Sequence, residues 1–74
     1  MSNCPEHDRL AAEVEQILNE LAEKTTLLLE LFRSKSPTAF ARLDKELELL
    51  VGKKERAVGA LRQHAKDHDC GAAA

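Results

Sequence analysis

Aromatic side chains are nearly missing from this 74-residue chain, which holds Phe32 and Phe40 but no Trp and no Tyr. A β-sheet draws on aromatic and β-branched residues, so the composition speaks against one. Glycine is scarce as well: three residues, Gly52, Gly59 and Gly71, supply no glycine-rich loop to cradle a phosphate. No apolar run approaches the roughly 18 residues of a membrane span. Met1-Ser2-Asn3 shows no signal peptide. The formal net charge is −2, far from the strongly basic balance that nucleic acids select. With two cysteines, Cys4 and Cys70, the expectation is a soluble, cytoplasmic protein with reduced thiols and no membrane association.

What remains is Leu, Ala, Glu, Lys and Arg, the composition of long helices. The chain is short enough for a single domain, expected over residues 1–71. The Ala72-Ala73-Ala74 end has no periodicity and reads as a disordered tail or an expression-vector remnant. The two prolines mark where helices begin. Proline at a first helical position loses nothing, because its missing N–H would have no intrahelical partner. Pro5 therefore opens a helix capped by Asn3 or Cys4, with Glu6 and Asp8 at the positive end of its dipole. Pro37 opens a second, with Ser36 placed to cap it through its hydroxyl. Helices of about 5–33 and 37–69 follow, with Gly71 as a stop. The short Ser34-Lys35-Ser36 link folds the second back beside the first.

Apolar residues recur at heptad spacing in both segments. The first series is Leu10, Val14, Ile17, Leu21, Leu28 and Leu31, broken by Lys24; the second is Phe40, Leu43, Leu47, Leu50, Ala57 and Leu61, broken by Lys54. Paired antiparallel about the turn, Leu31 meets Phe40, Leu28 meets Leu43, Leu21 meets Leu50, Leu10 meets Leu61 and His7 meets His64. The residue numbers of each pair add to 71, so two independently read patterns agree on one register. Charge agrees with it: Glu6, Asp8, Glu13, Glu15 and Glu20 lie opposite Lys53, Lys54, Arg56, Arg62 and Lys66. Such exposed pairs are worth under about 1 kcal/mol each and select orientation more than they stabilise.

The stripes are wider than a two-stranded seam. Leu18, Thr25, Phe32, Val51 and Val58 flank them and would stay wet in a single hairpin, which predicts a homodimer forming a four-helix bundle. This plan resembles that of the Rop family of small RNA-binding plasmid regulators, also dimers of helical hairpins; the likeness is architectural, with no shared motif, and carries no function with it. Lys24 and Lys54 interrupt the core at mirrored depths. Their stems can lie along the seam with the ammonium on a carboxylate such as Glu20 or Glu23, or they can form a charged layer that disfavours other registers.

Chemistry-bearing residues gather at the open end. Cys4, His7, His64 and His68 have the makings of a tetrahedral zinc site, and Cys4 with Cys70 could form a disulfide. A third outcome is no ligand at all. An RNA-binding reading of the basic residues Lys53, Lys54, Arg56, Arg62 and Lys66 is opposed by the net charge, by the lack of interleaved aromatics and by the inward position of Lys54. Gly52 and Gly59, one heptad apart on the outer face, cost about 1 kcal/mol each relative to Ala unless a partner backbone approaches there. No Ser or Cys nucleophile is expected beside a base on a rigid turn, so the chain reads as no enzyme and needs no cofactor. The leading expectation is a helical bundle acting by protein–protein interaction, as adaptor, chaperone or regulator. Leu27, Leu29, Gly52 and Gly59 would form the partner surface. A metal-binding or redox-sensing bundle is the alternative, and an RNA-binding regulator the second alternative.

Overall fold

The turn is set by one residue in an unusual conformation. Lys35 has φ 58°, the left-handed region usually left to glycine. The computed structural model describes residues 4–68, and within them the first helix, α1, spans Pro5–Arg33 and the second, α2, Pro37–His68. After α1 the Ser36 N–H donates to Leu31 O and the Lys35 N–H to Phe32 O, both at 3.2 Å. These are the two bonds of a Schellman motif, closing carbonyls that the helix end would leave open. Ser34 adds a third tie, its N–H donating to Glu30 O at 2.9 Å. The Ser36 hydroxyl does not cap α2 as expected; it shares a hydrogen bond of 3.1 Å with Ser34 Oγ, which also reaches Leu31 O at 3.2 Å. Pro37 at the start of α2 fixes φ there, and the first turn closes from Phe40 N–H to Ser36 O at 2.9 Å.

At the other end, Cys4 is the N-cap of α1, with extended backbone and no side-chain capping bond. Asp8 N–H donates to its carbonyl at 3.1 Å, and Glu6 and Asp8 lie in the first turn as expected. The expected end of α2 at Asp69, its stop at Gly71 and the tail Ala72–Ala74 lie outside the described residues.

The helices pack against each other as an antiparallel hairpin with principal extents of 50 × 18 × 16 Å. The register is the one expected. The rings of His7 and His64 lie 6.3 Å apart, and those of Phe32 and Phe40 5.9 Å apart at the turn. Burial along the seam is lopsided. Leu10 and Ile17 on α1, and Leu43, Leu50 and His64 on α2, are the buried residues, each 7–8% exposed. All five belong to one heptad series in each helix. The facing series, His7, Val14, Leu21 and Leu28 with Phe40, Leu47, Lys54 and Leu61, is half-buried at every position. No side chain among the described residues is fully enclosed.

Helical geometry explains the imbalance. On a helix of 3.6 residues per turn, the half-buried series of α1 borders Ala11, Leu18, Thr25 and Phe32, and that of α2 borders Asp44, Val51, Val58 and Ala65. These two rows share one flank of the hairpin, which is apolar apart from Thr25 and Asp44. The buried series borders the other flank, where Glu13, Glu20 and Lys53 line a hollow of about 310 Å³ with Ile17 at its floor. Long charged side chains cover their neighbours on that side, while short apolar ones leave the first flank bare.

Lys24 crosses to the opposite helix. Its Nζ donates to Glu46 Oε1 at 3.2 Å, in place of the expected Glu20 or Glu23, because the inward-tilted stem delivers the ammonium to α2 rather than back along α1. Lys54 pairs with its neighbour Glu55 at 3.2 Å, and both lysines keep a third of their side chains exposed. Arg9 binds Glu13 at 3.2 Å within α1. Among the described residues the ion pairs joining the helices involve Lys24 with Glu46 and Glu6 with His64.

Candidate functional site

The apolar flank is the first candidate. Leu18 is 48% exposed, Val51 45% and Phe32 67%; Thr25 is exposed too, and Val58 is half-buried. All five expected interface residues stand on this one side. At the turn end the flank runs into an open hollow of about 550 Å³ lined by Leu31, Phe32, Pro37 and Phe40. Amphipathic helices normally cover such a row, since each Å² of apolar surface left in water costs about 25 cal/mol.

The expected partner surface is divided by the same geometry. Leu27 and Leu29 are both exposed, at 46% and 47%, but residues two apart on a helix point about 200° apart. Leu27 therefore joins the charged flank, and Leu29 lies on the side of Leu18. Gly52 is half-buried and Gly59 exposed on the back of α2. A methyl group at Gly59 would meet nothing within 4 Å, and one at Gly52 would meet the Arg56 side chain at 3.5 Å. Leu49, 72% exposed, escapes the heptad reading because it sits off both series, and no pattern in the sequence singles it out.

The open end is the second candidate. His64 takes a buried seam position where the heptad would carry a leucine, and it is the polar side chain buried at 8% exposure. Its Nε2 lies 3.0 Å from Cys4 Sγ, and its Nδ1 lies 3.9 Å from Glu6 Oε1. His7 tilts beside it with its Nδ1 3.8 Å from Asp8 Oδ1. A cysteine therefore stands against a base at the open end, held there by the N-cap position of α1 and not by a turn. Glu6, expected at the positive end of the α1 dipole and in the acidic block facing α2, comes within 3.9 Å of His64 Nδ1 through the helix-pair geometry.

Three of the four expected zinc ligands, Cys4, His7 and His64, thus come together. The side chain of His68, and Cys70 with the expected disulfide, lie outside the described residues; Cys4 carries a free thiol. Among the described residues no group of three or more His, Cys, Asp or Glu is arranged to hold a metal ion. Of the basic residues of α2, Lys53 lines the hollow with Glu13 and Glu20, and Lys54 pairs with Glu55. Among the described residues, no helix is long and apolar enough to cross a membrane. In comparisons with known proteins, no family model, no curated protein and no solved structure matches the chain.

Proposed function

We propose that this chain is a non-enzymatic, homodimeric helical bundle that works by protein–protein interaction. The observation that carries the reading is the lopsided burial. All five buried seam residues belong to the series beside the charged flank, whose remaining members Lys24, Leu31 and Ala57 are half-buried, and all eight residues of the series beside the apolar flank are half-buried. A second copy laid over Leu18, Thr25, Phe32, Val51 and Val58 completes that series and produces a four-helix bundle with two-fold symmetry. A chain of this size rarely builds a sufficient core alone, which makes association part of folding.

The non-enzymatic reading rests on the sequence, which supplies no glycine-rich phosphate loop and no nucleophile on a rigid turn. Charge placed on the flank tests the assembly. Leu18→Glu or Val51→Glu should give single chains whose helical circular dichroism is reduced and independent of concentration. Leu27→Glu on the charged flank should leave the dimer intact. Equal behaviour of all three variants would remove the flank as the interface.

A further inference from the structure

A histidine buried in a leucine seam costs stability unless its nitrogens are satisfied. At the open end of the hairpin His64 Nε2 stands 3.0 Å from Cys4 Sγ, within hydrogen-bond reach, and its Nδ1 lies 3.9 Å from Glu6 Oε1, outside it. Cys4 is the N-cap of α1, a position at which a side chain ordinarily turns back to the helix N–H groups. It makes no such bond and reaches across to α2 instead. The thiol is free, Cys4 is half-buried as a residue, and the imidazole behind it is buried. Sulfur, base and base-facing carboxylate in sequence form the arrangement that activates a nucleophile.

We propose that Cys4 and His64 form a reactive thiol–imidazole pair that exchanges with low-molecular-weight disulfides of the glutathione type. Cys4 Sγ attacks one sulfur of the disulfide, and His64 Nε2 accepts the thiol proton as the new S–S bond forms. The old S–S bond breaks, its electron pair leaves on the second sulfur, and the proton passes to that thiolate. The products are a Cys4 mixed disulfide and one equivalent of small thiol, with no net gain or loss of electrons beyond the exchange. Glu6 holds the imidazolium that exists between the two proton transfers. This site is separate from the apolar flank and stands or falls independently of it.

The chain carries its own control in Cys70. The full-length protein is incubated with oxidised glutathione at neutral pH, quenched with acid in the initial-rate regime and digested. Peptides ending at Arg9 and beginning at Asp67 then report the two thiols separately. Cys4 should be modified roughly ten-fold or more faster than Cys70, as positioned proton transfer allows. That advantage should vanish in concentrated urea, and it should fall with His64→Gln while the rate at Cys70 holds. A Cys4 rate no greater than that of Cys70 overturns the proposal. So does an advantage that survives in urea, which would belong to local sequence. If folded His64→Gln retains the full rate, the imidazole has no part in it.

Discussion

Leu21 and Leu50 face each other across the seam, yet Leu50 is buried to 7% exposure while Leu21 stays half-buried. The difference lies in what borders each residue, the charged flank for one and the apolar flank for the other. The proposed second copy over the apolar flank would equalise them. Leu21→Ala and Leu50→Ala should then cost similar amounts, about 2–5 kcal/mol each in denaturant unfolding. A Leu21→Ala cost well below half that of Leu50→Ala would mean that Leu21 remains wet in solution.

Lys54 occupies the half-buried series at the border of the same flank, paired with Glu55 at 3.2 Å. A pair this exposed contributes little, under about 1 kcal/mol. A leucine in its place adds apolar burial of about 1–2 kcal/mol, partly offset by the lost ion pair. Lys54→Leu should raise the melting temperature by roughly 4–8 °C, the response of a domain this small to about 1 kcal/mol. A fall of a few degrees in a thermal melt would show that the lysine layer stabilises the bundle.

Lys35 holds the left-handed residue of the Schellman turn with φ 58°. Glycine adopts that region without a Cβ clash, so Lys35→Gly should stabilise the hairpin by about 1 kcal/mol despite the added freedom of the unfolded chain. No change, or a loss, in chemical denaturation would mean that the turn relaxes in solution to another conformation.

Gly59 has open space around the position of a methyl group. Gly59→Ala should therefore raise stability by about 1 kcal/mol through helix propensity. Reading the same melt at several protein concentrations checks the back of α2. A destabilisation would place another backbone against Gly59 and enlarge the interface beyond the apolar flank.

The heptad spacing made the hairpin and its register legible, because Leu10, Ile17, Leu43 and Leu50 repeat every seventh residue and each points where the repeat directs it. Pro5 and Pro37 marked the helix starts for a stereochemical reason that needs no tertiary information. Other features depend on contacts between helices and left no local trace. Lys35 gives no sign of left-handed backbone, since a glycine or asparagine is the usual marker. The Ser34–Ser36 hydroxyl pair competes with capping in a way that a single Ser-Pro pair does not reveal. The reach of Lys24 to Glu46 and of Cys4 to His64 follows from side-chain direction across the seam. The cluster at the open end was visible as residue types, while its actual pairing of sulfur with base required the helices in place.

The account turns on whether a second chain covers the apolar flank. Sedimentation equilibrium of the wild-type protein over a dilution series measures this directly. The expected result is twice the mass of one chain, with a dissociation constant of about 1 μM or tighter. A single-chain mass throughout the series, with full helical circular dichroism retained, would contradict it.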